Sequence, residues 1–371
     1  MRPAFKEALR ELLAREETPF YAYDLAGIEH QAKRLKDAFP EVRFFYAIKA
    51  NPNPAILALL REQGFGAETV SLGEALKAYQ SGFLPAEVVL NGPVKPPGWL
   101  KELKAEGVPT LVLDSEADAR RVAEYLPGAE VLIRVNPALA VHTHPHLATG
   151  KGESQFGVLP EALERVLEVA RAGGLKVRGL HLHLGSSLNS PEDFAAGWGL
   201  LAELLREFGP FAVADLGGGF GLGLKPQALR PLVRPFFDLV EEVWMEPGRF
   251  LVAEAGVLVA RAWGVKETKR RYLLLDAGMT LFIRPMLYGV NPMVQPLYES
   301  PETGVFDLVG PACESTDVLK RDARLPVPKE GDALAILEAG AYGASMASRY
   351  LQTPPPKEFL FDGTNWQRVD G

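Results

Sequence analysis

Five groups of residues in this chain are suited to chemistry. Lys49 closes the run Arg43-Phe-Phe-Tyr-Ala-Ile48, which reads as a buried strand because apolar and aromatic side chains follow one another without a polar break. Asn51-Pro-Asn-Pro54 comes next; Asn53 suits a helix cap and Pro54 a first helical turn. The lysine therefore sits where a strand hands over to a helix, and in a barrel of parallel strands that end carries the chemistry. A lone lysine there is by default a snorkelling or surface-paired cation. Desolvated, the same amine can form a Schiff base. Asp215-Leu-Gly-Gly-Gly-Phe-Gly221 offers backbone without side chains, through which N–H groups can approach an anion, although a glycine triplet alone is more often a turn. In His181-Leu-His-Leu-Gly-Ser186 the two imidazoles share one strand face. Glu246-Pro-Gly-Arg249 pairs a carboxylate with a guanidinium. Gly310-Pro-Ala-Cys-Glu-Ser-Thr-Asp317 holds the single cysteine, a small hydrophobe in most settings but also an acid that can reach a buried carbon.

These residues need elements to position them. Eight apolar runs, most separated by helical patterns, lie at 43–48, 65–70, 88–91, 110–114, 131–136, 177–184, 211–217 and 250–255. Eight suits a (β/α)8 TIM-type barrel better than an open sheet. Between the first two runs Ile56, Leu57, Leu59 and Leu60 form the apolar side of a helix. From Val265 short strand-like runs with Pro and Gly turns replace the helical stripes, so an α/β chain with a β-rich C-terminal domain is expected.

Bulk properties narrow the class. The 371 residues, 47% of them hydrophobic, support a well-cored protein of two domains. A net charge of −7 argues against a nucleic-acid partner. No apolar run approaches the ~18 residues of a membrane span, and Met1 to Glu17 is charged and amphipathic, without a signal-peptide core. One cysteine excludes an internal disulfide framework, and a cytoplasmic protein follows as the expectation.

Phe45-Tyr-Ala-Ile-Lys-Ala-Asn51 is similar to the pyridoxal-phosphate lysine motif of the alanine-racemase-fold decarboxylases of basic amino acids, and the other motifs follow in that family's order from about Pro19 to Phe361. The resemblance implies a barrel over 25–264 and a β-rich domain over 1–24 and 265–371 that completes the active site. It implies pyridoxal 5'-phosphate on Lys49, with Gly217, Gly218, Gly219 and Ser186 around the phosphate and Tyr342 at the phosphate or the Schiff base. His183 would stack on the pyridine ring, and Glu246 would pair with its nitrogen. Gly248 and Arg249 of the same motif would lie at the cofactor, Arg249 near the phosphate or the substrate carboxylate. Cys313, from the partner subunit of a homodimer, would protonate the carbanion left by decarboxylation. Arg284, Tyr288 and Glu314 resemble the residues with which the diaminopimelate decarboxylases of this family hold the far end of the substrate, so the implied reaction is meso-2,6-diaminopimelate to L-lysine and CO2. A sister decarboxylase acting on ornithine, carboxynorspermidine or another basic amino acid is the alternative, and a non-decarboxylating pyridoxal-phosphate protein or racemase the remote one. Three departures stand out: Glu68 where the family has aspartate, Gln155 where it has lysine, and 348–356, where Ser348-Arg-Tyr-Leu351 replaces S-N-Y-N. His142-Thr-His-Pro-His146 could in principle bind zinc, but it resembles a family loop and no metal is expected.

Overall fold

A computed structural model describes residues 1–138 and 154–369. The histidine run 142–146 lies outside the described residues. The chain forms two compact units, Ala32–Phe250, and Met1–Gln31 with Leu251–Gly371. The first strand, β1 (Phe20–Asp24), belongs to the second of these.

The unit 32–250 is a closed parallel barrel. Its strands are β2 (Arg43–Ala47), β3 (Gly66–Thr69), β4 (Val88–Leu90), β5 (Thr110–Leu113), β6 (Glu130–Val135), β7 (Lys176–Leu182), β8 (Val213–Asp215) and β9 (Glu242–Met245). Closure comes from β9 pairing with β2, Arg43 opposite Trp244 and Phe44 opposite Met245. Phe45, Val89, Val112, Leu132, Val213 and Trp244 pack together as one buried cluster. Helices follow the strands as the capping signals predict. Asn53 accepts the Ala55 N–H at 3.1 Å and Pro54 opens the helix Pro54–Glu62.

One strand differs from the sequence expectation. The run 250–255 is not the eighth barrel strand; it begins with the helical turn Arg249–Val252. The eighth strand is β9, only four residues long and preceded by Glu241. A short buried apolar run carries no periodicity that separates strand from helical turn, and a short strand with charged residues at its start looks like a loop. The consequence is functional: Glu246 follows the last barrel strand instead of preceding it, and so stands at the same strand end as Lys49.

The other unit is built on a nine-stranded sheet in the order β14-β13-β11-β10-β1-β16-β17, with β15 on β10 and β12 on β15. These strands are β10 (Gly256–Glu267), β11 (Arg271–Leu275), β12 (Val294–Pro296), β13 (Thr303–Val309), β14 (Val318–Pro326), β15 (Ala333–Ile336), β16 (Lys357–Phe361) and β17 (Trp366–Val369). The N-terminal strand is central, antiparallel to β10 and parallel to β16. The amphipathic start of the chain is the helix Pro3–Leu13, whose buried Phe5, Leu9 and Leu12 pack on Phe20, Val257, Val259 and Phe359. Burying each such side chain contributes roughly 1.5–3 kcal/mol. Among the described residues no helix is long and apolar enough to cross a membrane.

Candidate active site

At the C-terminal end of the barrel strands, polar side chains converge where the apolar interior stops. The strand β2 ends at Ala47, and Lys49 rides on the single helical turn Ile48–Ala50 that follows. Its Nζ donates to Glu68 Oε2 at 2.5 Å. The Lys49 side chain keeps 38% of its exposure while Glu68 keeps 1%, so the carboxylate is fixed and the amine can still be reached. Glu68 comes from β3 and also accepts from Asn91 Nδ2 at 3.0 Å. Asn91 directly follows β4, and its amide spans two carboxylates, donating to Glu246 Oε1 at 2.8 Å as well. The second Glu246 oxygen meets His181 Nε2 at 3.1 Å.

The glycine loop follows β8. Asp215 Oδ1 accepts the Gly217 N–H at 2.9 Å, and the Gly218 N–H donates to His183 Nδ1 at 3.3 Å. Gly217 sits at φ +67, where a side chain is strained. A Cβ on Gly217 would lie 2.1 Å from the Leu182 carbonyl oxygen, and one on Gly219 would lie 2.3 Å from that of Gly185, the residue before Ser186. The loop thus lies flat against the ends of its neighbours. Gly248 packs the same way: a Cβ there would sit 3.0 Å from the Ala47 Cβ, at the base of the turn that carries Lys49. Arg249 opens the next helical turn and is half-buried.

The charges here are set by burial and by one another. Burial alone would raise the Glu246 carboxyl, but His181 and Lys49 outweigh it and hold it down to about 2. Burial, then the Glu246 charge, push the Asp215 carboxyl well above the usual range. Burial, with the Arg134 and Lys49 cations, pushes the His183 imidazole down to about 3, so it is neutral. Since His183 Nδ1 accepts a hydrogen bond, its proton sits on Nε2.

In the other unit, Arg284 begins the short helix Arg284–Tyr288 and Tyr288 ends it. The Arg284 Nη1 reaches the carbonyls of Glu338 and Ala341 at 3.5 and 3.4 Å. Cys313 and Glu314 are exposed on the loop between β13 and β14. That loop is pinned by buried Asp317, which accepts the N–H groups of Met279 at 2.6 Å and Ala312 at 2.9 Å. The Tyr350 hydroxyl donates to Glu314 in a very short contact. Tyr342 adopts φ +57, a conformation that a non-glycine residue rarely holds.

Residues 25–253 match the family described as pyridoxal-dependent decarboxylase, pyridoxal binding domain. The chain belongs to this family. As a pyridoxal-dependent decarboxylase it is a carboxy-lyase that works through pyridoxal phosphate. A diaminopimelate decarboxylase of Deinococcus radiodurans is 43% identical over 366 residues, which cover 98% of this chain and 95% of that one. One from Archaeoglobus fulgidus is 33% identical, covering 97% and 91% of the two chains. The crystal structure of diaminopimelate decarboxylase from Helicobacter pylori complexed with L-lysine superposes with a TM-score of 0.92 at 31% identity, over 97% of this chain and 95% of that one. Lysine decarboxylase from Selenomonas ruminantium superposes at 0.87 with 27% identity, over 96% and 95%.

The barrel residues of this decarboxylase suit that cofactor. A reachable lysine amine, a loop with no room for side chains, a buried ionised carboxylate and a neutral imidazole are the groups an aldehyde, a phosphate and a pyridinium require. The structure gathers Lys49, His183, Gly217, Gly218, Glu246 and Gly248 within one set of strand ends. Four neighbours of these groups carry no clear signal in the sequence. Glu68, there only a departure from the family's aspartate, pairs with Lys49. His181, Asn91 and the carboxyl of Asp215 surround Glu246. Their position directly at barrel strand ends is the signal that would have found them.

Proposed function

We propose that this decarboxylase converts meso-2,6-diaminopimelate to L-lysine and CO2. The chain-long likeness to the Deinococcus radiodurans enzyme carries this choice of substrate. Bound in the barrel, pyridoxal phosphate supplies the electron sink for the carbon that loses CO2. Lys49 holds it and accepts or returns a proton at Nζ, with Glu68 orienting the amine. Glu246 would keep the pyridine nitrogen protonated, which makes the ring a better sink. His183, being neutral, can lie against a cationic ring without like-charge repulsion. Gly217, Gly218, Gly219, Ser186 and Tyr342 would hold the phosphate, with Arg249 beside it or at the substrate carboxylate.

The far end of the substrate falls to Arg284, Tyr288 and Glu314. An arginine fork binds a carboxylate bidentately, and ornithine and lysine carry none there. We assign Cys313 and Glu314 to the site of a second copy of the chain, which makes a homodimer the smallest active unit. The exposure of both side chains supports that assignment. Cys313 would then deliver the proton that replaces CO2. A cytoplasmic location fits the single cysteine.

Release of CO2 from meso-diaminopimelate, measured beside ornithine, arginine, lysine and carboxynorspermidine, tests the reading. Strong preference for diaminopimelate with lysine as product supports it. Preference for another compound would move specificity to segment 348–356, where the sequence departs from the family. Mixing Lys49→Ala with Cys313→Ala protein should restore part of the activity; no recovery after proven chain exchange would defeat the shared site.

A further inference from the structure

Glu246 lies among other buried ionisable side chains. His181, Asp215 and Glu246 are all buried, and one ligand atom from each lies within 4.8 Å of the others. Three different strand ends deliver them: His181 from within β7, Asp215 from β8, Glu246 after β9. Two buried carboxyls this close cannot both be ionised at low cost, so one proton is shared out to one of them. The hydrogen-bond inventory decides which. Glu246 has an Asn91 N–H on one oxygen at 2.8 Å, His181 Nε2 on the other at 3.1 Å, and the Lys49 cation nearby. Asp215 has one backbone N–H, from Gly217; its buried Oδ2 receives no donor, and its side-chain hydrogen-bond neighbour is the Glu246 carboxyl. The charge therefore rests on Glu246 and the proton on Asp215, which agrees with the opposite directions in which their carboxyls are shifted. A carboxylate can only accept, so His181 must carry a hydrogen on Nε2. Its Nδ1 is buried and unpartnered. The other groups around Glu246 are Lys49 and His183, with Glu68 and Arg134 acting at longer range.

We propose that His181 is a positioning residue that aims Glu246 and keeps it an anion, while Asp215 stays a neutral acid holding the proton of the carboxyl pair. The proposal rests on the reading above only in placing the pyridine nitrogen against Glu246. If Glu246 lost its His181 donor, its charge would spread to Asp215, and the ring nitrogen would lose part of its proton.

The test compares His181→Gln with His181→Asn. Glutamine can put an N–H near the place of Nε2; asparagine is too short. A charge-assisted hydrogen bond contributes roughly 1.5–3 kcal/mol, so kcat of the holoenzyme should fall about 10–150-fold in His181→Asn. KM should change little, and His181→Gln should recover most of kcat. The visible absorbance of bound pyridoxal phosphate should stay constant across neutral pH in wild type and His181→Gln, and titrate there in His181→Asn. Infrared spectroscopy should find a protonated buried carboxyl that disappears in Asp215→Asn. The spectroscopic readings need no substrate, so they stand or fall separately from the choice of diaminopimelate. Wild-type kcat and absorbance in His181→Asn would overturn the role of His181, as would a His181→Gln protein no better than His181→Asn. Absence of the protonated carboxyl would overturn the role of Asp215.

Discussion

Replacing Lys95 by methionine should destabilise the barrel unit by about 3–5 kcal/mol. Lys95 is 0% exposed and its partner Asp118 1%. Its Nζ donates three bonds, each 2.7 Å, to the Gly92 carbonyl, the Val112 carbonyl and Asp118 Oδ2. Gly92 lies just past β4 and Val112 is in β5, so one ammonium ties two neighbouring strand ends of the site. At an effective dielectric near 20 the pair attracts by about 6 kcal/mol, and burying the two ions costs several kcal/mol each. The intact pair is thus close to neutral against an apolar filling. Removing one member is different, because Asp118 would be left buried with only the Asp114 N–H at 3.3 Å and Arg121 at 3.6 Å from its other oxygen. The two carbonyls would be orphaned as well. For a unit of this size the loss corresponds to a fall in Tm of roughly 6–20 °C. Thermal unfolding of Lys95→Met, Asp118→Leu and the double variant closes the cycle. The double variant should recover much of the loss, since no uncompensated charge remains. A loss under about 1 kcal/mol in Lys95→Met, or a double variant as unstable as the sum of the singles, would refute the reasoning.

Three further outcomes are expected. A Cβ on Gly218 would sit 2.2 Å from the Glu246 carbonyl oxygen, so Gly218→Ala must displace backbone beside Glu246 and lower kcat by about 100-fold, measurable as CO2 release together with weaker cofactor retention on dialysis. Asp307 is held below the usual carboxylate range first by Arg270, at 2.5 and 2.7 Å, against the opposing effect of burial. A depressed carboxyl stabilises the fold above the unfolded value near 3.9 and ceases to do so as pH falls through its folded value. Asp307→Asn should therefore cost about 1–3 kcal/mol at neutral pH, and the gap in urea midpoint from wild type should close as the pH drops below about 4. Leu351 is exposed and sits at φ 57, ψ 25, where the left-handed region penalises a branched side chain. Leu351→Asn should stabilise by about 0.5–1 kcal/mol, and no rise in Tm would count against the strain.

The barrel, the β-rich second unit and the kinship to pyridoxal-dependent decarboxylases are legible in the amino-acid sequence. The strings around Lys49, the glycine triplet, His183 and Glu246 are legible because each is a short contiguous motif that resembles one of a known family. The strand and helix runs are legible because apolar periodicity is a local property. The N-terminal cap at Asn53 and the buried face of the first helix follow from the same local rules. The short strand β9 was hidden, because four residues carry too little pattern, and with it the place of Glu246. Other features arise only when the chain folds. Asn91 and Glu246 are 155 residues apart in the chain yet 2.8 Å apart in the barrel. Lys95 looks like an ordinary loop lysine beside two prolines, and only the closing of β4 onto β5 buries it against Asp118. Which of Glu246 and Asp215 carries the charge depends on how many donors reach each oxygen. Such a balance exists only where strands from distant parts of the chain end side by side, and no local pattern records it.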